Sequence, residues 1–278
     1  MPLVLYSLAY SQEVEEEDFY DPTLEAELAI KNDRCLDALN ILVDKEINGD
    51  TLNNRQLLLK ANALTCLGSI SSALDAYGTI IKSEPQNPDF RIARLAVLVA
   101  SKSWKNAIHD CRTLSEIIPN SNGYAKVCCM AGLETKSYDE AVIWINKYLN
   151  ANPENEEALF LQSKTYQGLH NNTQALLVVN RLLEKQPKNS EYILHRAQLY
   201  DHMNMYKFAV GDYNSYLKSN PNDGKVWYQL GLAHQKEGTK NDACFCFEKA
   251  RDNGTTSARR QLSMYCKKSM VTNRGKKK

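Results

Sequence analysis

Residues 224–257 read GKVWYQLGLAHQKEGTKNDACFCFEKARDNGTTS, and this stretch decides the fold. Trp227, Leu230, Gly231 and His234 fall at i, i+3, i+4 and i+7, one face of a helix. Gly238-Thr239-Lys240-Asn241 breaks that helix, and Ala243, Phe247 and Ala250 form the apolar face of a second one. Working outward, Ala243 is preceded by Ala209, Ala175, Ala141, Ala107 and Ala73, each 34 residues from the next. Pro221, Pro187, Pro153, Pro119 and Pro85 keep the same 34-residue step. Two ladders with one period identify a solenoid, in which each repeat is a supersecondary unit stacked on its neighbour.

The period divides the chain into six units, 54–87, 88–121, 122–155, 156–189, 190–223 and 224–257, each reading as two helices. Small side chains let helices cross closely. The ladder alanines supply one side of that crossing, and Ala61, Leu95, Cys129, Ser163, Ala197 and Gly231 the other, with Leu95 the single large residue. The second unit is expected to open slightly or repack around it. The prolines end each second helix, because proline cannot continue the hydrogen-bond ladder. Upstream, Asp21-Pro22 reads as an N-cap followed by proline at the first helical position. Two short helices separated near Lys31-Asn32-Asp33 then form a degenerate first unit, with Ala38 35 residues before Ala73, one off the ladder. Downstream, residues 257–269 are expected to form a capping helix with the stripe Ala258, Leu262 and Tyr265. The solenoid thus spans 22–269, between an acidic, unstructured 1–21 and a disordered basic 270–278.

The literal Trp227-x2-Leu230-Gly231 and Ala243-x3-Phe247 resemble the tetratricopeptide repeat signature, and with the exact period the resemblance covers about 200 residues. It implies an all-α, right-handed superhelical solenoid of antiparallel helix pairs with a concave and a convex face. A pentatricopeptide RNA reader would want a period of 35, so the 34-residue spacing argues against one.

Composition excludes more than it assigns. Net charge is +1, but acids crowd residues 13–27 and bases crowd residues 259–278. No apolar run reaches the roughly 18 residues a spanning helix needs. The opening Met1–Tyr10 run lacks the basic flank of a signal peptide. No cysteine pair has C-x-x-C spacing, so the eight cysteines read as buried free thiols in a reducing compartment, and the expected location is cytoplasmic. There is no phosphate loop, nucleophile elbow or metal-spaced His/Cys cluster, and the five histidines are scattered over different units. The expectation is a non-enzyme without cofactor or metal.

Function is then expected on the surface. In the resembled family the first helix of each unit lines the concave groove, chiefly at its second, fifth, ninth, twelfth and thirteenth positions. Here the fifth positions hold Leu58, Ile92, Lys126, Phe160, Leu194 and Tyr228. The ninth hold Asn62, Ala96, Met130, Lys164, Gln198 and Leu232, and the twelfth add Val99 and Leu133. These residues predict a groove for a protein partner's helix or extended segment, apolar in its first half. The family's two-carboxylate clamp is not matched, since only Asn62 fits in the first register, so a clamp for the C-terminal tails of the Hsp70 and Hsp90 chaperones is not expected. The chain reads as a scaffold or adaptor within a larger complex. The alternative is RNA or anionic-membrane association through Arg259, Arg260, Lys267 and Lys268, which raised salt would weaken.

Overall fold

The computed structural model describes residues 21–266, which contain fifteen α-helices and a terminal π-helical turn; no strand occurs among them. Calls on residues 1–20 and 267–278, including Lys267 and Lys268, lie outside the described residues. Helices α1 (Pro22–Lys31) and α2 (Cys35–Ile47) form the degenerate first pair. Asp21 caps α1 as its oxygen accepts from the Thr23 amide at 2.9 Å. The repeats follow as α3 (Asn54–Cys66) and α4 (Ile70–Ser83), α5 (Pro88–Ala100) and α6 (Trp104–Ile117), α7 (Ala125–Glu134) and α8 (Tyr138–Ala151). Next come α9 (Glu156–Gly168) and α10 (Asn172–Lys185), α11 (Ser190–His202) and α12 (Tyr206–Ser219), and α13 (Gly224–Glu237) and α14 (Lys240–Asp252). The chain divides into two compact units between Val97 and Leu98, inside the helix that carries Leu95.

All six ladder alanines are fully buried. At the α9–α10 crossing the Ser163 hydroxyl donates to the Ala175 carbonyl at 2.8 Å, the contact the alanine register requires. At α13–α14 a Cβ on Gly231 would lie 2.6 Å from the Phe247 ring, so only glycine admits that ring. Each ladder proline stands two residues after the last residue of its helix, and the residue before it is held out of the helical region, with φ between −127° and −134° and ψ between 57° and 72°. That is the restriction proline's ring imposes on its predecessor.

The backbone carries the period as well. Gly68, Lys102, Lys136, His170, Asn204 and Gly238, each 34 residues apart, all turn between the helices of a pair in the left-handed region. Asp33 does the same 35 residues before Gly68, sharing the one-residue offset of Ala38. A non-glycine residue there costs about 1 kcal/mol or more. Lys136→Gly is therefore expected to raise stability by roughly 1 kcal/mol, read as a higher urea midpoint with unchanged slope.

The first helix of the third repeat starts late, at Ala125, behind a turn that includes Gly123, with Tyr124 at its cap. Ser121 stands where Asn53, Asn87, Asn155, Asn189 and Asp223 stand in the other repeats, and all five of those side chains accept a hydrogen bond from a backbone amide at their helix start. The cap is also not one α-helix: α15 (Ser257–Gln261) passes into a π turn over Leu262–Cys266. Ala258 is buried, and Leu262 and Tyr265 pack with it on Ala243, Phe247 and Ala250.

Cysteine usage is the larger correction. Cys35–Cys66, Cys111–Cys128 and Cys244–Cys266 are disulfides, and only Cys129 and Cys246 are free and buried. The free-thiol reading fails because the 34-residue stacking brings cysteines of different helices together, which spacing along the chain does not show. The inferred reducing compartment loses its basis with it. Burial pushes the Cys129 thiol up to about 11 and the Cys246 thiol up to about 12, so both are poor nucleophiles.

Candidate functional site

In the unit from Leu98 onward, successive first helices α7, α9, α11 and α13 frame a cleft of about 910 Å³. Its walls include Leu133, Lys164 and Gln198 from the expected groove, joined by Gln167, His195, His202 and Gln229. His170 and Asn172 close one side. His170 thus borders the same cleft as His195 and His202, which lie seven residues apart on α11. No group of His, Cys, Asp or Glu among the described residues could hold a metal ion.

The floor is fixed by burial and hydrogen bonding. Ser163 has given its only proton to Ala175, so His195 Nε2, 2.9 Å from Ser163 Oγ, is the donor of that pair. Its Nδ1 is left as an acceptor. Burial, with the charges of Lys164 and His202 added, pushes the imidazole down to about 4, so it is neutral at pH 7. Its ring stands edge-on to Phe160 at 5.2 Å, and Tyr192 packs on the same ring at 4.9 Å. Lys164 Nζ lies 4.0 Å from the Phe160 centroid and 3.3 Å from a Glu191 carboxylate oxygen. Behind α11, Arg196 grips Asp212 through two nitrogens at 2.7 and 2.8 Å and reaches Asn180 at 3.1 Å, fixing three helices. Asn172 Oδ1 is buried without a hydrogen-bond partner, an acceptor at the cleft wall that lacks a donor.

The other expected groove residues separate by environment. Phe160 is 7% exposed, so it supports the cleft from below and is not a free anchor. Leu194 packs on the core of α11–α13, and Tyr228 and Leu232 pack on the α14–α15 core while also bordering a second space of about 900 Å³. Met130 and Val99 are half-buried, and Lys126 pairs with Glu157 at 2.8 Å. In the first unit Leu58 joins two core clusters and Asn62 accepts from the Tyr77 hydroxyl at 2.6 Å, while Ile92 and Ala96 are exposed. Arg259 and Arg260 are exposed on α15. Of the apolar positions, Leu58 is thus taken up in packing, Ile92 and Ala96 are open to solvent, and Leu133 lines the cleft.

A surface not anticipated lies on the second helices. Ile143, Leu177 and Phe245 share one register position and are 64%, 59% and 53% exposed, with Phe208 exposed on α12 between the latter two. Their spacing in multiples of 34 was available in the sequence.

The tetratricopeptide repeat family model matches residues 224–250. The fold is that of a tetratricopeptide repeat protein. A tetratricopeptide repeat protein from Parabacteroides merdae superposes with a TM-score of 0.58 at 16% identity, over 88% of this chain and 97% of its own. YrrB, described as a TPR protein with an unusual peptide-binding site, gives 0.53 at 16% over 69% and 98%. MamA from AMB-1 gives 0.51 at 18% over 59% and 95%. No curated protein sequence matches the chain. No described helix is long and apolar enough to cross a membrane.

Proposed function

We propose that this tetratricopeptide protein is a non-catalytic scaffold, an adaptor in a larger assembly, that holds a segment of a protein partner across α7, α9, α11 and α13. The observation that carries the reading is the 910 Å³ cleft, walled by side chains from repeats at 34-residue steps and set on a hydrogen-bonded floor. A cleft of this size suits a short segment, and its wall residues offer donors and acceptors in place of reactive groups. The peptide-binding site named for YrrB supports the same use of the fold. Leu133, Lys164, Gln198 and Gln229 are the proposed contacts, with Tyr228 and Leu232 extending them.

Photo-crosslinking tests this. With benzoylphenylalanine at Gln229, partner adducts are expected, whereas at Leu177 on the outer register they are not. Adducts confined to Leu177 overturn the reading. The alternative through the basic C-terminus predicts adducts at Arg260 that disappear at raised salt.

A further inference from the structure

Burial on the first helices follows the repeat everywhere except at the first pair. Ala63, Val97, Ala131, Thr165, Leu199 and Ala233 stand 34 residues apart, and all six are buried. Leu28 stands 35 residues before Ala63, sharing the offset of Ala38 and Asp33, yet it is 47% exposed. Four residues earlier, Leu24 is 52% exposed at a position that no later repeat leaves exposed.

In the later repeats these two positions are covered by the unit before. Thr165 Oγ1 meets Cys129 Sγ of the preceding first helix at 3.5 Å, and His195 Nε2 meets Ser163 Oγ at 2.9 Å. Leu59 and Ala63 share a core with Ala26 and Ala29 of the first pair. Leu24 and Leu28 therefore face out of the stack, on the side where no described repeat precedes them. At i and i+4 they form one apolar stripe on α1. Leu36 on α2 is exposed too, at a position where the later repeats hold serine, threonine, asparagine, aspartate or lysine. A terminal unit of a solenoid needs a polar or covered outer face. After α14 that cover is a segment outside the 34-residue register, carrying Ala258, Leu262 and Tyr265.

The sequence directly before α1 has the composition of such a cover. Met1–Tyr10 contains Leu3, Val4, Leu5, Tyr6 and Leu8 and no charged side chain, and residues 11–20 join it to Asp21, the cap of α1. Ten residues of linker reach up to about 33 Å, whereas a ten-residue helix is about 15 Å long, so the apolar run can return over both leucines. A tether this short holds it at an effective concentration on the order of millimolar. A second copy meeting the same face would bring two sets of Glu13, Glu15, Glu16, Glu17 and Asp18 together, a like-charge contact that opposes association.

We infer that Met1–Tyr10 folds back on its own chain as the N-terminal cap of the solenoid, its apolar side chains seated on Leu24 and Leu28.

The test places benzoylphenylalanine at Leu28 of the full chain and irradiates an equal mixture of unlabelled and isotope-labelled protein. Cleavage after glutamate separates residues 1–13 from position 28, so each adduct identifies both its ends. Adducts of position 28 to residues 1–13 of the same chain are expected. Hydrogen exchange gives a second readout. Deletion of residues 2–10 should speed exchange in α1 about tenfold and leave α11 and α12 unchanged. The same deletion should change exchange by less than about twofold in Leu24→Ser/Leu28→Ser, where the seat is already lost. Both leucines are exposed at the surface of α1, so that variant keeps the fold. Adducts joining differently labelled chains would assign the face to a second copy and overturn the inference. So would the absence of any adduct to residues 1–13, or exchange in α1 that is indifferent to the deletion.

Discussion

Ala175→Arg is expected to unfold α9 and α10 and to destabilise the repeats on either side. Ala175 is fully buried, and the Ser163 hydroxyl reaches its carbonyl at 2.8 Å, so the two helices cross with no room for a long side chain. Arginine there overpacks the crossing and buries a guanidinium with no carboxylate prepared for it, two mechanisms that each cost several kcal/mol. The sum exceeds the roughly 4–5 kcal/mol that marks an exceptional substitution. Because each repeat is stabilised chiefly by its neighbours, the loss should spread to α8 and α11 before it reaches the ends. Hydrogen exchange resolved by peptide measures this: protection in α9 and α10 should collapse while α3 and α4 keep theirs. Leu177→Arg, two residues away and 59% exposed in the native chain, is the control and should change stability by less than about 0.5 kcal/mol. Equal protection in both variants would show that the alanine register is misplaced.

The contrast between Ala175 and Leu177 shows how far the sequence could be read. A ladder position repeats because a close helix crossing tolerates one size of side chain, and that constraint is visible in one chain without a structure. The prolines are legible for the same reason, since each acts on its own neighbour. Phe160 shows where this stops. It occupies the same register as Lys126 and Tyr228, yet its ring is sealed by Tyr192 and His195 of the next first helix. Whether a groove position is open depends on what the following repeat places over it, which its own register does not record. The cysteines left a fainter trace. Cys111 stands where Tyr77, Ile145, Val179, Tyr213 and Phe247 stand in other repeats, a small residue at a large position. Its missing volume is answered by the bond to Cys128.

Reduction of the native chain is expected to lower its thermal midpoint by at least about 6–12 °C, the effect of one bond alone, with the C-terminal cap released first. The three disulfides close loops of 31, 17 and 22 residues in chain separation. In the chain-entropy account a loop of that length stabilises the fold by about 3 kcal/mol. For a domain of this size 1 kcal/mol corresponds to about 2–4 °C, so loss of one bond alone should shift the local transition by about 6–12 °C. Cys35–Cys66 and Cys111–Cys128 each tie the second helix of one pair to the first helix of the next, the interface on which a stacked array depends. Cys244–Cys266 instead ties α14 to the π turn. The cap it holds is short, and Leu262 and Tyr265 cover Phe247 and Ala250 only while that cap stays docked. Cys266→Ser should therefore raise hydrogen exchange across 257–266 and leave α9–α12 unchanged. Thiol counting checks the pairing itself. The unfolded, unreduced chain should give two reactive thiols, from Cys129 and Cys246, and the native chain none on the same timescale, because both are buried with raised pKa. Eight thiols without reductant would overturn the pairing and restore the free-thiol reading. In that case the cap would be held by Ala258, Leu262 and Tyr265 alone, and reductant would leave the midpoint where it was.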